Sequence, residues 1–173
     1  DAELMVRTRE GDQQAFALLV DRHKDVLVNL LTRLTGTRDR AEDLAQEAFL
    51  RLYQHADRYI EQGKLLPYLY QIASNLVRTE ERRRRRWRLL LPFVSYASAS
   101  ITPHQQECGV LQTEAQAQVS AAIAQLPLVY RIPLVLHEIE GLAYDEIATI
   151  CGVPEGTVKS RINRGRQRLR EHL

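Results

Sequence analysis

Thr157, Lys159, Ser160, Asn163 and Arg164 fall within "PEGTVKSRINRGRQRLREHL", residues 154 to 173. Their chemistry is that of nucleic-acid recognition. Lys and Arg donate to guanine edges or phosphates, and Asn pairs with adenine. A hydroxyl or first-turn amide holds a phosphate at a helix N-terminus. On a helical wheel of about 100° per residue, these five side chains and Gln167 lie on or beside one face. Val158, Ile162, Gly165, Leu169 and Leu173 lie on the other. The segment also carries Arg161, Arg166, Arg168 and Arg170 against only Glu155 and Glu171. Soluble helices usually mix their signs, because like charges at i,i+4 repel. Charge alone fits a solvated basic face as well as an anionic partner. The donors gathered on one face favour the partner, and the partner they suit is DNA.

A second constellation has the opposite sign. Between Ala41 and Tyr53, Ala41, Leu44, Ala45, Ala48 and Leu52 share one helical face, and Asp43, Gln46, Glu47 and Leu50 share the other. A single exposed Leu needs no explanation. A carboxylate patch with a Leu at its centre also suits a basic helical partner, with the Leu as anchor. Neither cluster implies covalent chemistry. There is no Ser/His/Asp set, P-loop or glycine fingerprint, so an enzyme and a cofactor are not expected. His104 and Cys108 share a helix face but lack a second nearby pair, so no metal site is expected either. Two cysteines are too few for a disulfide framework and point to a reducing cytoplasm. No apolar run approaches a membrane span, and no signal peptide is evident.

Helices must present both clusters, and the chain reads as helical nearly throughout. In "GDQQAFALLVDRHKDVLVNLLTRLTG" Asp12 is the expected N-cap and Gly36 the stop. Phe16, Leu19, Val20, Val26, Leu27, Leu30, Leu31 and Leu34 form the apolar stripe. "RDRAEDLAQEAFLRLYQHAD" is the next helix. After the loop "RYIEQGK", Pro67 suits the first turn of "LLPYLYQIASNLVRTEERRRRRWR". The following "LLLPFVSYASASITPHQQECG" has two prolines and no charge between Arg88 and Glu107. It reads as a connector, though its apolar content is high for a free linker. Helical spacing resumes with Leu111, Ala115, Val119, Ala122 and Leu126, and Pro133 is expected to kink the helix that holds it.

The predicted architecture is therefore all-α, with two small helical domains at 1–89 and 111–173 joined by a connector at 90–110. Charge is segregated along it. Residues 1–63 hold 9 basic and 12 acidic side chains, and 64–88 hold 8 and 2. Residues 89–150 hold 1 and 6, and 151–173 hold 6 and 2. Such blocks suggest separate surfaces for separate partners.

"YDEIATICGVPEGTVKSRI" narrows the DNA reading. Ala148, Gly152 four residues on and Val158 six further have helix-turn-helix spacing. A small residue sits where two helices cross, a Gly permits the turn, and an apolar residue anchors the second helix. Ile147, Cys151 and Val153 complete the contacts, which gives Cys151 a core role. Tyr144, Asp145 and Glu146 head the first helix as a surface turn.

"GDQQAFALLVDRH", "LTGTRDRAEDLAQEAFLRLY" and "LPYLYQIASNLVRTEERRRRR" resemble the sigma-two domain of extracytoplasmic-function (ECF, group IV) sigma factors of bacterial RNA polymerase. "LPLVYRIPLVLHEIEGLAYDEIATICGVPEGTVKSRINRGRQRLREHL" is similar to their sigma-four domain. The resemblance implies that Asp43, Gln46, Glu47 and Leu50 dock the β′ clamp coiled-coil of core polymerase, with the β subunit as a further contact. It implies that Asn75, Arg78, Thr79 and Arg82 read and melt the minus-ten element. Ile60 to Leu66 would form the pocket for a flipped base, and Arg82–Arg86 would follow the phosphates. Thr157, Lys159, Ser160, Asn163 and Arg164 would read the minus-thirty-five element. An anti-sigma protein is a further implied partner. Tyr68 stands where the family often has Trp, and Leu65 near a usual Phe; both substitutes are apolar or aromatic. Two other functions remain: a free-standing helix-turn-helix regulator, and an adaptor that keeps the fold without promoter recognition.

Overall fold

The computed structural model describes residues 1–59, 65–90 and 114–172. Among them lie α1 (Ala2–Arg9), α2 (Gln13–Thr35), α3 (Arg38–Gln54), a 3-10 turn (Ala56–Arg58) and α4 (Leu65–Leu90). After the connector come α5 (Glu114–Gln125), α6 (Leu128–Glu138), α7 (Tyr144–Cys151) and α8 (Glu155–His172). No described residue is in a strand. The connector beyond Leu90 lies outside the described residues, as do Leu111 and residues 60–64 of the expected flipped-base loop. Leu65 and Leu66, expected in that loop, open α4 instead.

Helix α2 is the axis of the N-terminal unit. Asp12 caps it as its residue type requires, accepting from the Gln14 and Ala15 amides at 2.9 and 3.1 Å. Its other oxygen takes the Arg7 guanidinium at 2.7 Å, which fixes the corner between α1 and α2. The Ala15 amide and Arg7 hold this carboxyl below the usual carboxylate range. Gly36, at φ 82°, ends the helix in the left-handed conformation that a side chain would strain. The buried stripe of α2 is Ala15, Leu19, Leu27, Val28, Leu30, Leu31 and Leu34. Val26 was expected there but is 39% exposed, and Val28 takes the inward place. Against this stripe α3 lays Ala41, Ala45 and Ala48, whose small side chains let the helix axes approach, followed by Phe49 and Leu52. Helix α4 adds Leu65, Leu69, Tyr70, Ala73, Leu76 and Val77. Helix α1 was not anticipated. It is anchored by buried Met5, and the buried Thr8 hydroxyl donates within the helix to Leu4 O.

In the C-terminal unit the buried apolar side chains are Ala122, Ile123 and Leu126, then Ile132, Leu134, Val135 and Leu136 of α6, Ile147 and Ile150 of α7, and Val158 and Ile162 of α8. Val119 is 39% exposed, contrary to its place in the expected stripe, because α5 packs by its C-terminal half. Helix α6 runs unbroken through Pro133, which is itself buried. Gly165 lies in the crossing of α8 with α6. A Cβ there would meet Leu134 and Tyr130 O at 3.5 Å, an ordinary contact. Interior helical Gly costs about 0.8–1.0 kcal/mol relative to Ala. Gly165→Ala is therefore expected to stabilise the protein by about 0.5–1 kcal/mol in urea unfolding. A lower midpoint would mean that the crossing has no room for a methyl group.

The two units touch. Helix α2 meets α5 and α6, and α4 meets α7.

Candidate nucleic-acid interface and docking face

Helix α8 presents the face that the wheel selects. Lys159, Ser160, Asn163, Arg164 and Gln167 are exposed, and Thr157 at the N-terminal end is half-buried. Val158 and Ile162 are fully buried, with Gly165 and part of Leu169 beneath the same side. Gly152, at φ 65°, makes the tight turn after α7, and its amide reaches back to Ala148 and Thr149 carbonyls. Glu146 accepts the Ala143 amide at 3.0 Å and fixes the entry to α7. The cations of α8 do not all serve one purpose. Arg166 pairs with Glu138 at 2.5 Å and Arg168 stacks over Tyr130 at 5.2 Å, so both hold α8 onto α6. Lys159 and Arg164 have no ion pair among the described residues and point outward. The Ser160 hydroxyl donates to Thr157 O at 2.9 Å, so toward a ligand it is an acceptor. That hydroxyl is the one departure from the expected row of donors.

Helix α4 carries the second basic surface. Asn75, Arg78, Thr79 and Arg82 follow one another at helical spacing on a single stripe. Asn75, Thr79 and Arg82 are exposed and Arg78 is half-buried. Arg78 donates to Asn75 Oδ1 at 3.2 Å, which presets the amide, while Thr79 donates to Asn75 O within the helix. In the arginine run, Arg84 pairs with Glu80 at 3.3 Å and Arg85 with Glu81 at 3.4 Å. Arg82, Arg83 and Arg86 have no ion pair among the described residues, so the free positive charge sits on these three. Trp87 is exposed beside them and adds an apolar surface. Tyr68 packs its ring on Tyr59 at 5.3 Å.

The acidic face of α3 is also as expected. Ala41, Ala45, Ala48 and Leu52 are buried, and Asp43, Gln46 and Leu50 are exposed, Leu50 by 49%. Glu47 is partly tied to Arg51 at 2.8 Å. Tyr53 continues the apolar patch one turn on, its ring 4.9 Å from Phe16.

The joint between the units was missed. Tyr70, 2% exposed, donates to Glu140 Oε2 at 2.6 Å, and Arg33 lies 3.5 Å from Glu140 Oε1. Burial, then the Glu140 carboxylate, pushes the Tyr70 phenol well above its ordinary value. Arg131 donates to Leu34 O at 2.5 Å across the joint, and to Ala124 O and Leu126 O in its own unit. Gln71 donates to Thr149 O at 3.5 Å. Burial raises the Cys151 thiol, in keeping with a core side chain. A signal for Arg131 was available: it is the lone cation in residues 89–150.

Among the described residues no three His, Cys, Asp or Glu side chains converge as a metal site, and no helix is long and apolar enough to cross a membrane. His104 and Cys108 lie outside the described residues.

Known proteins share this arrangement. Residues 19–88 match the family Sigma-70 region 2, and residues 116–169 match Sigma-70, region 4. The chain is 36% identical to the ECF RNA polymerase sigma factor SigW of Bacillus subtilis, over 99% of this chain and 98% of that protein. It is 32% identical to the ECF RNA polymerase sigma-E factor of Escherichia coli K12, over 98% and 92% respectively. Among solved structures, the sigma factor RpoE in complex with the anti-sigma factor NepR, from Bartonella quintana, superposes with a TM-score of 0.72 at 27% identity. That match covers 91% of this chain and 95% of RpoE. CnrH in complex with the cytosolic domain of CnrY shares the fold, with a TM-score of 0.70 at 24% identity.

Proposed function

Because the chain belongs to the ECF RNA polymerase sigma factors, we propose a division of labour among its three exposed surfaces. The protein binds core RNA polymerase, recognises promoter DNA and assists promoter melting. The acidic face of α3, with Asp43, Gln46, Glu47 and Leu50, docks the basic clamp coiled-coil of β′. Leu50 is the desolvated anchor and the carboxylates supply orientation. The stripe Asn75, Arg78, Thr79 and Arg82 reads the minus-ten element. Unstacking a base costs a few kcal/mol, and the free Arg82, Arg83 and Arg86 offset part of that by holding phosphates. Thr157, Lys159, Ser160, Asn163 and Arg164 occupy the major groove of the minus-thirty-five element. The domains run 1–89 and 111–173, within group IV. The protein works by binding alone, without cofactor or covalent chemistry, in the cytoplasm where promoter and polymerase are found. An anti-sigma partner is part of this proposal, in line with the solved RpoE relative.

The observation that carries this assignment is the coexistence of an acidic, Leu-centred face with two outward donor faces on one chain. A free-standing regulator leaves the first without a use, and an adaptor leaves the other two without one. Gel shift on promoter DNA with and without core enzyme separates the cases. Specific binding is expected only with core, and strong specific binding by the protein alone would favour the regulator. Within the holoenzyme, Arg164→Ala is expected to weaken binding at the upstream element by about 1–3 kcal/mol at its cognate base. An equal loss on every sequence would mark Arg164 as a phosphate contact.

A further inference from the structure

We propose that α4 carries a second DNA contact beyond its minus-ten stripe: Trp87, flanked by Arg83 and Arg86, enters the minor groove of the paired duplex upstream of the melted bases and favours A·T pairs there. This rests on the assignment of α4 above. Trp87 is the single tryptophan of the chain and is 59% exposed, with Leu89 exposed two residues on. Among the described residues the indole has no hydrogen bond and no ring contact, so the fold makes no use of it. Arg83 and Arg86 are exposed and without an ion pair among the same residues, so whatever covers the indole is anionic. A second copy of this chain would set arginine against arginine. A membrane surface needs an apolar face along the helix, and Trp87 and Leu89 are the exposed large apolar side chains of α4 among the described residues. Duplex DNA meets the charge and is continuous with the stripe already assigned.

The length of α4 selects the groove. The resemblance places capture of a flipped base at the start of the helix, at Leu65 and Leu66 among the described residues, so the other end meets DNA that is still paired. Trp87 lies 12 positions beyond Asn75, about 18 Å at 1.5 Å per residue. That spans about five base pairs at about 3.4 Å per pair, half of a turn of about 10. Along one face of a duplex, half a turn exchanges the major groove for the minor. Asparagine reads adenine from the major groove, so a side chain five pairs further faces the minor. On the wheel Arg86 lies within about 20° of Asn75, with Arg83 and Trp87 at about 80° and 120°. The arginines thus stand beside the indole, where the phosphates that wall the groove run.

The chemistry of the indole selects the bases. Its N–H is a donor only. The floor of an A·T minor groove offers acceptors alone, whereas guanine adds its N2 amino donor. A flat apolar ring also enters between minor-groove walls as a wedge. A·T pairs therefore accept Trp87, and the guanine amino group opposes it.

The test uses holoenzyme and three forms of one promoter, with A·T, G·C or inosine·C pairs about five pairs upstream of the minus-ten element. Inosine lacks the guanine amino group and keeps its major-groove edge. Wild-type holoenzyme is expected to bind the A·T and inosine forms about tenfold more tightly than the G·C form. Trp87→Ala should weaken binding to the A·T form about tenfold and erase the difference among the three. Trp87→Phe, which keeps the ring and loses the donor, should fall between. With 5-hydroxytryptophan in place of Trp87, emission should change on the A·T promoter and not on a single-stranded minus-ten oligonucleotide. Equal binding of the three forms by wild type, or a Trp87→Ala variant like wild type, would overturn the contact. An inosine form that behaves as G·C would overturn the minor-groove assignment. An emission change with the single strand, or with phosphatidylglycerol vesicles, would overturn duplex DNA as the partner, in favour of a stacked base or a membrane. A holoenzyme that bound none of the three would instead overturn the assignment of α4, and this contact with it.

Discussion

Leu50→Arg abolishes assembly with core polymerase and leaves the fold intact; this is the expected result of a pull-down paired with thermal unfolding. Leu50 is half-exposed on α3, so the substitution removes no core packing. At the interface it does two things at once. It withdraws an apolar anchor, a type of contact whose loss costs about 2 kcal/mol or more at a hot spot. It also sets a cation against a basic partner, and like-charge juxtaposition costs several kcal/mol more. Together these shift affinity by at least about a thousandfold. Asp43→Asn, which removes charge alone, should lower the association rate and its salt dependence by less. If the Leu50→Arg variant still formed holoenzyme at wild-type concentrations, the docking face would have to lie elsewhere.

Arg131→Met is expected to cost about 2–3 kcal/mol in urea unfolding. The last carbonyls of a helix lack intrahelical partners. Arg131 satisfies those of Leu34 in α2 and of Ala124 and Leu126 at the end of α5 with one guanidinium. Burial pulls its pKa below the usual guanidinium value, the mark of a charge kept by its hydrogen bonds rather than by solvent. Met fills similar volume but offers those oxygens nothing, and hydrogen bonds to a charged group contribute about 1.5–3 kcal/mol. Water entering the cleft of about 380 Å³ beside Arg131 recovers part of that loss. A change within about 0.5 kcal/mol, the ordinary scatter of surface substitutions, would show that the three carbonyls find partners without Arg131.

What the sequence reveals of this protein is what local physics decides. Asp12 and Gly36 bound α2 because a carboxylate caps free amides and a glycine tolerates positive φ, and neither effect needs a tertiary partner. The faces of α3 and α8 were legible for a similar reason. Their apolar residues recur every three or four positions, so the outward side chains follow by elimination. Val26 and Val119 were misplaced because periodicity marks a stripe without its edges, and neighbouring helices decide which edge is covered. Helix α1 escaped notice since eight residues give too few turns for a period, and Met5 is its one buried apolar side chain. The joint was invisible for a deeper reason. Tyr70 and Glu140 are 70 positions apart, and each alone is an ordinary residue of a helical segment. Only Arg131, isolated by charge in an apolar segment, carried a local sign of its role.

The central claim is that three faces of one chain act together: α3 on polymerase, and α4 and α8 on a promoter. Run-off transcription with purified core polymerase over a library of promoter sequences measures that directly. The account predicts discrete transcripts that depend on this protein and vanish with Leu50→Arg. Absence of any transcript across the library, from protein that is folded and bound to core, would contradict it.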